Sequence, residues 1–231
     1  MGVILIYEIG KGGRIVGKSI YSIVLDDEVI KAADKVAYMK GTSRSALING
    51  MLAEAFSCNT PELRNRSVFE ALERRMEPSG LRYQMTPSAS VLSIHSAISY
   101  KYNPRIRYAV ELYRNRDNVS GELRVVLRSQ NDELLKTLEV FFVFWQRLEN
   151  AYVGKYFEDG ISSEITKGKY VRRFLPAETG SAEEYGNAIA GYVKRLDTVL
   201  KVFFETPDIN GRLVATEAAY RKLTADSNII I

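Results

Sequence analysis

The sequence predicts an α+β protein in two unequal parts, and three observations carry that prediction. Residues 19–56 join a short stretch of alternating apolar side chains to two segments of helical periodicity. Residues 81–129 contain successive runs in which apolar and polar side chains alternate between turn-rich segments, the pattern of an antiparallel sheet with one buried face. From Asp132 onward long helical periodicities dominate. Strands and helices that segregate along the chain point to an α+β fold.

A chain of 231 residues suits two domains. The limits predicted are 1–60 and 66–231, because Cys58-Asn59-Thr60-Pro61 breaks the second helical segment before Ser67-Val68-Phe69 starts another. Hydrophobic content of 46% is enough for a sizeable core in the larger part. The net charge of +4 permits a polyanionic partner without demanding one. Cys58 is the sole cysteine, which excludes an intrachain disulfide and a cysteine-based zinc site, and it reads as an inert or partly buried thiol. His95, the sole histidine, lies in the strand-like run 91–98 and has no histidine partner for a metal. No basic region precedes the apolar run Gly2-Val3-Ile4-Leu5-Ile6-Tyr7, which is too short to span a bilayer. Neither a signal peptide nor a membrane helix is therefore expected, and the expected location is the cytoplasm, in association with the nucleoid.

In chain order, that apolar run reads as a strand, and Gly10-Lys11-Gly12-Gly13-Arg14 as a flexible turn. Lys11, Arg14 and Lys18 form a basic arm that supports phosphate affinity, although a solvated turn carries the same charges. The glycines are no dinucleotide fingerprint, because no helix follows. Tyr21-Ser22-Ile23-Val24-Leu25 has the period of a half-buried strand. Asp26 is placed to cap a first helix whose face is Val29, Ala33, Val36 and Ala37, with Asp27 and Glu28 at its positive end. Gly41 is suited to end that helix in the left-handed conformation. Ser43 is then expected to cap a second helix with Ala46, Leu47, Met51, Leu52 and Phe56 as apolar positions.

Ser22-Ile23-Val24-Leu25-Asp26-Asp27-Glu28-Val29, followed by Gly41-Thr42-Ser43-Arg44-Ser45-Ala46-Leu47-Ile48, resembles the ribbon-helix-helix family of DNA-binding proteins, over about a sixth of the chain. In that family two copies intertwine and pair their strands into an antiparallel ribbon that enters the major groove. The resemblance therefore implies a homodimer or higher homo-oligomer and a double-stranded DNA partner. It implies that Ile20, Ser22 and Val24 face the bases while Tyr21, Ile23 and Leu25 face the dimer core. It also implies a phosphate clamp of Thr42, Ser43, Arg44 and Ser45 at the start of the second helix. The ribbon departs from the family pattern, because only Ser22 offers a hydrogen bond where such readers usually carry Arg, Lys, Gln, Asn or Thr. Ile20 and Val24 suit thymine methyl groups instead.

In the larger part, Pro78-Ser79-Gly80 is expected to end a connecting helix, and residues 98–102, 105–114 and 122–129 read as three strands of a meander. Ile106, Tyr108, Val110, Leu112, Leu123, Val125 and Leu127 make one face apolar. A helix over 132–157 is expected to cover that face through Leu135, Leu138, Phe142, Trp145, Leu148 and Tyr152. Residues 165–175 read as a returning strand, and 181–204 and 213–223 as helices. The outer face, with Lys101, Arg105, Arg107, Arg124 and Arg128 flanked by Tyr100 and Tyr102, is a possible second nucleic-acid surface, and a solvated sheet face explains the same alternation. Phe141-Phe142-Val143-Phe144-Trp145 reads as buried core or oligomer contact.

The functional expectation is a dimeric, sequence-preferring double-stranded DNA-binding protein, a transcriptional regulator, whose larger domain serves assembly, a partner or a small ligand. The alternatives are a plasmid or phage accessory protein that organises DNA for partition, conjugation or replication, and an assembly protein that uses the same fold without DNA. No phosphate loop, paired-acid motif, nucleophile elbow or metal cluster is read in the chain, so no enzyme, metal or cofactor is expected.

Overall fold

The computed structural model describes residues 22–58, 60–77, 82–85, 90–113, 120–175 and 181–225. Ile20, the basic arm of Lys11, Arg14 and Lys18, and the helix stop at 78–80 lie outside them. The described chain is α+β: helices α1 (Asp27–Met39), α2 (Arg44–Ala55) and α3 (Pro61–Met76) precede strands β1 (Arg82–Met85), β2 (Val91–Ala97), β3 (Arg105–Leu112) and β4 (Gly121–Leu127). Helix α4 (Asp132–Tyr152), strands β5 (Ser163–Thr166) and β6 (Lys169–Phe174), and helices α5 (Ala182–Glu205) and α6 (Ile209–Ala225) follow.

The six strands form one antiparallel sheet in the order β1-β2-β3-β4-β6-β5. Alternation sets the faces. Ile106, Tyr108, Val110 and Leu112 of β3 are buried, as are Leu123, Val125 and Leu127 of β4, while Arg105 and Arg107 are exposed. The buried face packs into a single core with Phe69, Leu72 and Met76 of α3, Phe141, Phe142 and Trp145 of α4, Ile189, Val193 and Leu200 of α5, and Tyr220 of α6. The aromatic run of α4 is thus core, and only Val143 of its five residues is exposed. No side chain of α1 or α2 belongs to this core.

Several elements differ from the sequence reading for identifiable reasons. Residues 98–102 form a turn, not a strand, because Tyr102 and Asn103 take positive φ angles of 67° and 44° that reverse the chain before Pro104. Pro61 starts a helix instead of only ending one: Thr60 Oγ1 accepts a bond from the Leu63 amide at 3.2 Å, and proline at the first helical position loses no intrahelical bond. Helix α3 therefore begins six residues before Ser67, inside the stretch read as a domain boundary. Residues 165–175 are the second half of a hairpin, because Gly168, at φ 69°, turns β5 into β6 while its carbonyl accepts the Leu127 amide at 2.9 Å. The helix read over 132–157 ends at Tyr152, followed by one turn of 3-10 helix over Gly154–Tyr156. Helix α6 extends to both sides of the 213–223 segment.

Between α4, β6 and α5 the core holds charge. Glu149 and Arg172 are each 1% exposed, and Arg172 Nε donates to Glu149 at 3.5 Å. The Glu149 carboxylate also accepts Tyr170 Oη at 2.7 Å and Tyr192 Oη at 2.9 Å, and Tyr192 Oη accepts Trp145 Nε1 at 3.1 Å. Burial, and then the charge of Glu149, push the Tyr170 and Tyr192 hydroxyls above the usual phenol range, so both remain donors. A substrate cannot reach a set of groups enclosed this way, and the network is structural.

Close approach of α3 to α5 depends on Gly186, where an added Cβ would overlap the Val68 carbonyl oxygen and stand 2.8 Å from Ala71 Cβ. Gly186→Val is therefore expected to lower stability by about 1–3 kcal/mol through overpacking. The check is a lower urea midpoint at unchanged m value, and an unshifted midpoint would show that the two helices part without cost.

Candidate nucleic-acid interface

Residues 22–26 lead into α1 without a strand partner among the described residues. Ser22 and Ile23 are exposed, Val24 is 100% exposed, and Leu25 is half-buried. Asp26 occupies the cap position of α1, but its side chain makes no capping bond, so the first turn relies on Asp27 and Glu28 for its charge complement. At the other end the Thr42 amide bonds to the Ala37 carbonyl at 3.0 Å and the Gly41 amide to the Tyr38 carbonyl at 3.1 Å, with Gly41 at φ 60°. This is a Schellman ending, and it needs the left-handed residue that glycine supplies. Ser43 Oγ then accepts the Ala46 amide at 3.2 Å and starts α2.

Thr42, Ser43, Arg44 and Ser45 stand together, exposed, at the positive end of α2, as the sequence predicts. The guanidinium of Arg44 is not free, however. Its Nε and Nη2 donate to the two carboxylate oxygens of Asp34 on α1, at 2.6 and 2.5 Å. Those hydrogen bonds, and then the carboxylate's charge, hold the Arg44 pKa above its ordinary value. The carboxylate opposes an arriving anion, although the guanidinium keeps further N–H donors.

The apolar positions of the two helices have little to pack on. Ala37 and Ala53 are their only buried residues, whereas Val29, Tyr38, Met39, Met51, Leu52 and Phe56 are exposed, Phe56 to 72%. Of the twelve large hydrophobic side chains exposed among the described residues, eight lie between Ile23 and Phe56, so the apolar surface is concentrated in the N-terminal unit. Cys58, read as inert or partly buried, is exposed.

On the outer sheet face, Lys101, Arg105, Arg107 and Arg128 are exposed as expected. Arg124 differs. Half-buried, it pairs with Glu111 at 2.7 Å and with Glu122, so its charge is neutralised within the sheet. Tyr100 packs edge-on against Phe204, with ring centroids 6.2 Å apart, and is not available for stacking, while Tyr102 stands 89% exposed with Lys101 Nζ 5.4 Å from its ring centre. Lys169 and Arg173 of β6 join the same face, and were missed because the β5–β6 hairpin reads as one strand.

No protein-family model, curated protein or solved structure matches this chain. The site must be judged on its own geometry. Among the described residues no group of three or more His, Cys, Asp or Glu side chains could hold a metal ion, and no helix is long and apolar enough to cross a membrane. What the exposed surfaces offer is of two kinds: an apolar face with capped helix ends around residues 23–56, and cations on an open sheet.

Proposed function

We propose that the protein is a homodimeric, sequence-preferring double-stranded DNA-binding protein of ribbon-helix-helix type, acting in the cytoplasm as a transcriptional regulator. The observation that carries this reading is the run of exposed apolar side chains on α1, α2 and the segment before them, in a unit with almost no core of its own. Such a surface calls for a partner of the same kind, and pairing the segments that precede α1 in two copies would bury part of it. Support for the DNA contact comes from the start of α2, where the amides of Arg44 and Ser45 precede the first helical bond and the Arg44 charge adjoins them. Genomic footprinting in the host tests the reading: a few protected operators support it, broad coating favours a DNA-organising accessory protein, and absence of protection leaves assembly alone.

The assembly reading has its own support, since Asp34 occupies Arg44 and the ribbon's outward face is largely apolar. The two readings part on one pair of substitutions. If the clamp contacts phosphate, Arg44→Ala should weaken duplex binding across sequences and reduce the salt slope by about 0.9, one phosphate's share. Asp34→Asn, which releases Arg44, should strengthen binding. Electrophoretic mobility shifts at several salt concentrations decide, and equal affinity in both variants and the parent would remove Arg44 from the interface.

A further inference from the structure

The outer face of the sheet separates its charges along the strands. Toward one end the signs are matched: Arg124 is held by Glu111 and Glu122, and Arg173 pairs with Glu164 at 3.5 Å. Toward the other end they are not. There Arg107 stands across from His95 on β2 and Val126 on β4, Lys169 stands across from Val126, and Ala97 faces Arg105. Continuing the β3–β4 register one step past Ile106 and Leu127 sets Arg105 opposite Arg128. The turn that carries Lys101 and Tyr102 closes this same end.

Among the described residues none of Lys101, Arg105, Arg107, Arg128 and Lys169 forms a salt bridge. Asp132 and Glu205, at that end of the domain, belong to the helix layer and are bonded to Lys167 at 2.7 Å and Ser99 at 3.3 Å. A merely solvated sheet intersperses both signs, as the far half of this one does. Like charges directly across a strand pair destabilise the sheet, and grouped cations on one face concentrate a positive potential that attracts anions. In the turn at this end stands the exposed Tyr102 ring, with Lys101 Nζ 5.4 Å from its centre. Among the described residues no element projects here to enter a groove, and an exposed aromatic ring is useful to a base that is not already paired.

We propose that this end of the sheet binds single-stranded nucleic acid, with Arg105, Arg107 and Arg128 on backbone phosphates and Tyr102 stacked on a base. The site lies on the larger domain and does not depend on the ribbon-helix-helix reading.

Fluorescence anisotropy of the full chain with an oligothymidylate of about 16 nucleotides tests it. The joint substitution Arg105→Ala and Arg107→Ala should weaken binding about tenfold or more at low salt and reduce the salt slope by about 1.4, the share of two single-strand phosphates. Arg128→Ala should give about half that change in slope. Tyr102→Ala should cost about fivefold or more without altering the slope. Arg173→Ala, at the matched end, should bind as the parent does. Failure of the parent chain to bind, loss in Arg173→Ala equal to that of the double variant, or a duplex of the same length competing as well as the single strand would each overturn the proposal. The first two results would leave duplex binding by the N-terminal unit to be judged by its own variants.

Discussion

Glu149→Ala is expected to be the most damaging single change in the larger domain, lowering stability by about 3–5 kcal/mol. The carboxylate is 1% exposed and takes bonds from Tyr170, Tyr192 and Arg172. Removing it takes from a buried guanidinium its carboxylate, and from two buried hydroxyls their acceptor, at a site where water does not reach to replace it. Among the partners that Arg172 would keep are the Arg173 carbonyl oxygen and the face of Phe157, whose ring centre lies 5.1 Å away. Neither carries a full negative charge. Glu149→Gln preserves an acceptor and should cost less. Replacing both members by apolar residues, Glu149→Leu with Arg172→Met, should recover the part of the loss that comes from the stranded guanidinium, but not the part that comes from the two hydroxyls. Chemical denaturation of the three variants provides the comparison. A midpoint for Glu149→Ala within error of the parent would mean that solvent enters this part of the core.

The same network shows what was legible in the sequence and what was not. Strand alternation assigns the inner faces of β3 and β4 correctly, since side chains two residues apart point the same way, although Ala109 and Glu122 on the outer face are buried as well. Local caps are legible in part: Gly41 and Ser43 do what their spacing implies, Asp26 makes no capping bond, and the capping box of Ser181 and Glu184 at the start of α5 was not read. In Arg172-Arg173 the period of two requires one arginine to point inward, but nothing near it in sequence reveals a partner, because Glu149 lies 23 residues away on a helix. The Arg44–Asp34 and Arg124–Glu111 pairs were missed for the same reason, and each changes what a basic residue can do. Pro61 illustrates a different difficulty, in that one residue type both stops and starts helices and only the Thr60 bond settles which. The basic end of the sheet needed the register of four strands before its unmatched charges could be told from Arg124.

Ile23→Asp in the full chain is expected to convert a dimer to a monomer. In the proposed ribbon Ile23 and Leu25 turn toward the partner strand while Ser22 and Val24 turn outward, so the substitution places a charge between two copies. The cost is several kcal/mol per charge, and a twofold ribbon carries two of them. Because the larger domain has a core to which α1 and α2 contribute nothing, it should remain folded, and the variant should sediment as a monomer with its sheet intact. Val24→Asp supplies the contrast, since a charge at this fully exposed position should leave the dimer whole while repelling DNA. Duplex binding should therefore be lost in both variants for different reasons, through assembly in one and through repulsion in the other. Sedimentation velocity separates them. A parent chain that is monomeric at micromolar concentration, or an Ile23→Asp variant that stays dimeric, would take the ribbon out of the interface and leave the exposed face of Met51, Leu52 and Phe56 to be covered some other way.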